Sequence, residues 1–382
     1  MKLRMAAMKK NAFTLVELIV ALFILSAILA ATFATFITLS KSFKSETKLT
    51  ETQIEDVLGL NILRYDLEMA GYGLPWTLPG APSPAISEAA SDGTYTVNPN
   101  TFNDAAPNAP RAVIISNNAG DGGSDVLVIK SLVATTGNTS STNSLTKKYT
   151  VRYKVAGVGT TQTWNDTTRD FQNGDKVIVL NTGTSPPVSR TLQQQAGCNW
   201  YTTWPGSAAC FDPGSATDVN LIYGLSTTTP RMPYNRVDYF LKRPASFSSK
   251  CHQSSYTLYR GVINQSDGKR TEQPIMDCVL DFQAALGLNI AGALTWVSAS
   301  GAVGSATDLT TAANVRSYLR EVKVFILLQD GQFDKDFTYA SSSVVIGDSN
   351  ITLRNYDLTA LTNYQNYKWK VVTLDAKTVN LN

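Results

Sequence analysis

The sequence predicts an α+β protein: one long N-terminal α-helix packed on a mostly antiparallel, β-rich globular head with long loops. Three observations predict it. An apolar run without Gly or Pro opens the chain and passes into an amphipathic stretch. Beyond Gly71, short β-rich runs alternate with connections rich in Pro, Gly, Ser, Thr and Asn. The composition, 382 residues at 43% hydrophobic and 16% charged, is that of a folded chain and excludes a disordered, collagen-like or polytopic membrane protein.

The N-terminal element comes first. A basic leader of twelve residues precedes an apolar run from Phe13 to Leu39 whose one charge is Glu17. At about 1.5 Å per residue this run reaches roughly 40 Å, more than a hydrocarbon core of about 30 Å. Lys2, Arg4, Lys9 and Lys10 favour an N-terminus kept on the cytoplasmic side, so most of the chain is expected outside the cytoplasm. The absence of Gly and Pro from Phe13 to Leu58 permits one helix running on through Lys41, Lys44 and Lys48. Further along, Ile54, Leu58, Ile62, Tyr65 and Met69 recur as one helical face, with Glu51, Glu55, Arg64, Asp66 and Glu68 largely between them. This face is expected to pack on a sheet, and Gly71, Gly73 and Pro75 to end the helix.

The head follows. Strands are expected over Ala112–Ser116, Asp125–Val133, Tyr149–Val155, Lys176–Leu180, Val219–Tyr223, Arg236–Leu241, Tyr256–Val262, Val279–Phe282, Leu319–Leu328 and Lys368–Leu374. Alternation in 149–153 and 237–241 predicts sheets with one wet face, and a second β layer is expected. Residues 75–111 and 134–146 read as long loops.

Charge and motif content narrow the function. The formal charge of +3 is concentrated at the N-terminus: without the first ten residues, 29 basic residues face 30 acidic ones. That balance gives no electrostatic footprint for nucleic acid. A single histidine, His252, excludes a His-rich metal site, and its default place is the surface. No G-x-S-x-G, P-loop or H-E-x-x-H motif occurs. Asp121 and Asp125 flank a Gly-rich stretch without the ligand set of a calcium loop, so a turn leading into the next strand is expected. A carboxylate pair of the glycosidase or aspartyl type would meet only in three dimensions, and the sequence is silent on it.

Cys198, Cys210, Cys251 and Cys278 all lie in the head, and an even count in an oxidising compartment favours two disulfides over a zinc site. Three pairings are open. The sequence-local one joins Cys198 to Cys210 and Cys251 to Cys278; a loop of about a dozen residues would contribute about 3 kcal/mol. Between the first two cysteines, Trp200, Tyr201 and Trp204 form a candidate contact loop, set against the plainer expectation that these rings pack onto the head.

Three readings of the N-terminus compete. One is a secretory signal peptide cut near Thr32-Phe33-Ala34, and another is an uncleaved signal anchor. Neither accounts for Glu17, because an acid in a spanning helix costs about 2.5–3.5 kcal/mol at mid-bilayer and persists where it has a partner. The third reading supplies one. The stretch Lys9-Lys10-Asn11-Ala12-Phe13-Thr14-Leu15-Val16-Glu17-Leu18 resembles the cleavage site of type IV prepilins. The resemblance implies cleavage by a prepilin peptidase between Ala12 and Phe13 and N-methylation of Phe13. It also implies that Glu17 meets an N-terminal amine in a filament and sets subunit register.

Residues 121–127, 237–241, 257–260, 274–279, 322–328 and 367–372 further resemble PilW-type minor pilins. That likeness implies residues 1–12 as leader peptide, 13–72 as transmembrane and assembly helix, and 73–382 as an extracytoplasmic head. It implies a minor pilin that helps to initiate a type IV pilus, at or near its tip, with assembly rather than catalysis as its work. The implied partners are other minor pilins, the major pilin, the prepilin peptidase and the inner-membrane assembly platform, with no cofactor, metal or nucleic acid. The implied location is the bacterial inner membrane before assembly and the pilus or cell surface after it. Two alternatives share these features: a minor pseudopilin of a type II secretion system, and a membrane-anchored extracytoplasmic adhesin or enzyme.

Overall fold

The structure, a computed structural model, describes residues 14–93, 95–104, 108–134, 145–183, 189–299, 302–303 and 307–381. Ala12 and Phe13 lie outside the described residues, as do the side chains of Lys41, Lys44, Lys48, Glu51, Ile54 and Glu55. The chain divides into two compact units, one reaching to Thr52 and one beginning at Gln53.

Helix α1 runs Leu15–Glu68. In the first unit its side chains from Leu15 through Leu39 are exposed, among them Leu15, Phe23, Phe33 and Phe36. Residues Leu15–Ser40 form a 26-residue stretch long and apolar enough to cross a membrane. Its hydroxyls turn inward on the helix itself. Ser26 donates to the carbonyl of Phe23, Thr32 to those of Ile28 and Leu29, Thr35 to that of Thr32 and Thr38 to that of Ala34. Polar groups satisfied within the segment are what a hydrocarbon environment demands.

In the second unit the helix buries Gly59, Leu63, Asp66 and Leu67, and Ala70 is buried just past its end. This corrects the face expected from the apolar spacing: Leu58 is 62% exposed and Ile62, Tyr65 and Met69 are only half-buried. The buried stripe is turned because it contains a glycine and a charged residue, neither of which scores as apolar. Gly59 is there for close approach, since a Cβ on it would lie 2.6 Å from the carbonyl oxygen of Ile275. The helix ends where expected. Gly71 takes φ +81°, and its N–H leaves the helix to donate to the carbonyl of Lys130. Asn380 then donates to the carbonyl of Glu68, so the C-terminal tail caps the helix.

The strands are β1 Val113–Ser116, β2 Val126–Ser131, β3 Tyr149–Val155, β4 Val158–Thr161, β5 Lys176–Asn181, β6 Thr191–Leu192, β7 Tyr201–Thr203, β8 Asn220–Ser226 and β9 Asn235–Lys242. They continue as β10 Tyr256–Ile263, β11 Arg270–Ile290, β12 Ala293–Val297, β13 Ala302–Val303, β14 Thr307–Asp308, β15 Leu319–Gln329, β16 Ser343–Gly347, β17 Thr352–Asp357 and β18 Trp369–Lys377. A larger sheet has the order β1-β2-β9-β10-β11-β15-β18 with β12 added on β11; a smaller one runs β4-β3-β8-β5-β6 with β7 added on β5. Their pairings are antiparallel, as are the hairpins β13–β14 and β16–β17.

One face of the larger sheet packs on α1: Leu63, Leu67 and Ala70 meet Ile129, Tyr239, Leu258, Phe282, Val324 and their neighbours. Each fully buried Leu contributes about 1.5–3 kcal/mol, an upper figure because the unfolded chain already hides some surface. The opposite face is also covered. Val97 and Phe102 pack on Val126, Val128 and Phe240, while Ile346, Leu358 and Leu361 pack on Leu280, Phe325 and Leu327. The wet face expected for 237–241 is therefore absent, and β9 is buried from Asn235 to Leu241.

Candidate functional site

Thr14 and Glu17 begin α1 as a capping box. Glu17 Oε2 accepts from the Thr14 N–H and the Thr14 hydroxyl, both at 2.9 Å, and the Glu17 N–H donates to Thr14 Oγ1 at 3.3 Å. Glu17 is thus the lone carboxylate in the apolar stretch Leu15–Ser40, engaged through one oxygen at the very start of α1.

In the second unit, an ion pair locks α1 to the sheet. Asp66 accepts from Arg260 Nε at 2.7 Å and from the Tyr239 hydroxyl at 2.6 Å, and none of the three is more than 1% exposed. Burial raises the Asp66 pKa, with the charge of Arg260 and the hydrogen bonds opposing. Burial alone would lower that of Arg260, but Asp66 and Tyr239 outweigh it, so the guanidinium stays charged. A second buried network ties the 86–104 segment to β2 and β9. Glu88 meets Lys130 at 2.8 Å, Arg236 at 3.2 Å and the Tyr234 hydroxyl at 2.7 Å. Arg236 also holds Asp238 through two hydrogen bonds, and Lys130 reaches Asp104 at 2.5 Å. Lys130, Arg236 and Arg111 balance Glu88, Asp104 and Asp238 one for one, which is what permits burial. Sequence reading missed both networks, because their key links, Asp66 to Tyr239 and Arg260 and Glu88 to Tyr234 and Arg236, join elements more than a hundred residues apart.

The cysteines are joined as Cys198–Cys210 and Cys251–Cys278, with Cα separations of 5.9 and 4.9 Å, one of the three open pairings. In the first loop, Trp200 is 1% exposed and its Nε1–H donates to the carbonyl of Pro84 at 2.7 Å. That removes Trp200 from the candidate contact surface, because the indole is part of the core under the smaller sheet. Tyr201 and Trp204 remain half-buried, Trp204 lying against Phe171 and Phe211.

His252 is not at the surface. It is 1% exposed, accepts from the Ser254 N–H on Nδ1 and therefore donates from Nε2 to the carbonyl of Thr362 at 2.9 Å. Packed edge-on against Tyr367 and Trp369, it ties two loops together.

Asp121–Gly123 form a 3-10 turn before β2, as expected. Two residues beyond it, Asp125 lies within electrostatic reach of Asp281: Asp125 accepts from the N–H groups of Asn118 and Ala284, while Asp281 accepts from Gln283 and from Arg354 at 3.1 Å. Both are fully buried, and burial, aided by Asp281, pushes Asp125 up to about 7. Walled off from solvent, the pair braces a turn. Asp125 then holds a proton in the folded chain that the unfolded chain, near 3.9, releases. Its contribution to stability is complete below about pH 4 and disappears as pH rises through about 7. Denaturant midpoints should fall across that window, and Asp125→Asn should flatten the fall. An unchanged slope in the variant would assign it to other groups.

Among the described residues, no three His, Cys, Asp or Glu side chains gather as a metal site. Residues 7–33 match the family described as "Prokaryotic N-terminal methylation motif". No curated protein and no solved structure matches the chain. The motif, together with the apolar helix beside it, supports a type IV pilin-like or pseudopilin-like protein. It implies processing by a prepilin peptidase and assembly with pilus machinery, fits membrane anchoring before assembly, and points to a structural pilin rather than an enzyme.

Proposed function

We propose that the chain is a minor pilin of a type IV pilus, PilW-like, that helps to initiate assembly at or near the tip. The observation that carries this reading is the methylation motif at 7–33 on an apolar stretch, Leu15–Ser40, with one carboxylate, Glu17. In this reading residues 1–12 are a leader removed after Ala12, Phe13 carries the methylated amine, and residues 13–72 anchor and then assemble the subunit. Residues 73–382 form an extracytoplasmic head. The subunit waits in the inner membrane and reaches the cell surface in the filament. Glu17 pairs with the Phe13 amine of a neighbour, where low dielectric strengthens the attraction and makes an unpaired charge costly. Other minor pilins and the major pilin are the neighbours, and the assembly platform extracts the subunit. Tyr201 and Trp204, still partly open, are the contact residues left in the Cys198–Cys210 loop.

The N-terminal residue and mass of the protein recovered from membranes test this. The expected product starts at Phe13 and carries one added methyl group. An intact Met1, or a start near residue 35, would remove the pilin reading. Deletion then separates pilus from secretion system: loss of pili with secretion intact is expected, and the reverse would assign the chain to the secretion apparatus.

A further inference from the structure

Three residues far apart in sequence meet in the second unit. Trp76 follows the turn that ends α1, and its N–H donates to the carbonyl of Arg190 at 2.7 Å. Arg190 directly precedes β6, whose Thr191 bridges to Thr77. Arg316 sits on the short helix Ala312–Tyr318 that feeds β15. The guanidinium carbons of Arg190 and Arg316 lie 5.0 and 5.1 Å from the centroid of the Trp76 ring, and both side chains are half-buried.

Among the described residues no carboxylate neutralises either cation. Among the described residues, neither guanidinium makes a hydrogen bond or ion pair, and the Trp76 indole N–H makes no hydrogen bond. Burial, and then the charge of Arg190, hold Arg316 below its ordinary pKa. The contrast with the rest of the head is sharp. Lys130, Arg236, Arg260 and Arg270 are buried, and each has a carboxylate against it. Two like charges withdrawn from water onto one ring, with no counter-charge among the described residues, are unfavourable by desolvation and by repulsion. Lying over an indole returns part of that and leaves the guanidinium N–H groups for a planar or tetrahedral anion.

We propose that Arg190, Arg316 and Trp76 form an oxyanion clamp. Its ligand is a carboxylate, or an anion of similar size and hydrogen-bonding geometry, arriving as a free ion or on an acidic side chain of another protein chain. The clamp does not depend on the pilin reading and would stand without it.

The test uses the processed full-length protein in detergent, with ionic strength matched by sodium chloride throughout. Thermal midpoints are followed while inorganic phosphate, or a blocked peptide of alternating glycine and glutamate, is titrated in. Arg190→Gln and Arg316→Gln are suitable variants, because neither removes a hydrogen bond or ion pair among the described residues. A saturable upward shift is expected in the wild type, with apparent affinity at least about tenfold weaker in each variant. A response to phosphate identifies a free oxyanion; a response confined to the peptide identifies a protein-borne carboxylate. No saturable response to either probe, or responses unchanged in both variants, overturns the clamp.

Discussion

Asp66→Leu is expected to destabilise the folded chain by about 3–5 kcal/mol, a fifth or more of the roughly 5–15 kcal/mol stability of an ordinary domain. The reason is what the change leaves behind. Arg260 is 1% exposed, and among the described residues its Nη1 has no hydrogen-bond partner, so Asp66, with the Tyr239 hydroxyl and the carbonyl of Ala134, is what holds it. Removing Asp66 strands a guanidinium inside the core beneath α1. Tyr239 loses its acceptor as well, which by itself costs about 1–3 kcal/mol. The double variant Asp66→Leu with Arg260→Met should recover most of the loss, because two apolar side chains replace a balanced pair. It should not recover all of it, since the Tyr239 hydroxyl stays buried and unpaired. Denaturant unfolding of the two single variants and the double one gives the coupling directly. A cost near zero for Asp66→Leu would show that the carboxylate is not the keystone of the α1–sheet contact.

Asp66 also shows why the sequence was legible in some places and not in others. On a helix, an acid between apolar positions reads as a wetted residue, and Leu58 reads as core; the structure reverses both. Strands β1, β2, β3, β5, β9, β10 and β15 were readable because each carries several β-branched or aromatic residues between turn formers. The far longer β11 was seen only over Val279–Phe282: Pro274 and charged residues disguise its first half, and Ala284, Ala285 and Gly287 its second. Hairpin β16–β17 went unseen because Ser, Gly, Asn and Asp make its alternation look like loop. The same division holds for sites. The methylation motif occupies contiguous residues 7–33, so local order suffices to find it. The core position of His252, the Asp125–Asp281 pair and the Arg190–Trp76–Arg316 cluster are each assembled by folding from distant segments, with no spacing rule to announce them.

On the minor-pilin reading, Glu17→Gln is expected to leave the subunit processed and anchored yet reduce its recovery in sheared pili by at least about tenfold. Two roles for Glu17 are physically available, and this change separates them. As an N-terminal cap, Glu17 needs only an oxygen that accepts from the Thr14 N–H and hydroxyl. Glutamine supplies one, so the start of α1 is kept; even Glu17→Ala would cost a cap worth only about 0.5–2 kcal/mol. As the partner of a neighbour's methylated amine, Glu17 needs its negative charge, which glutamine lacks. Loss of that charge also makes the apolar segment cheaper to hold in a bilayer, by up to about 2.5–3.5 kcal/mol at its centre and less near the interface. The variant should therefore sit in the membrane at least as well as the wild type while assembling worse, a combination that general misfolding does not produce. Wild-type recovery of Glu17→Gln in pili, alongside a defect in Glu17→Ala, would assign Glu17 to capping and leave subunit register to other contacts.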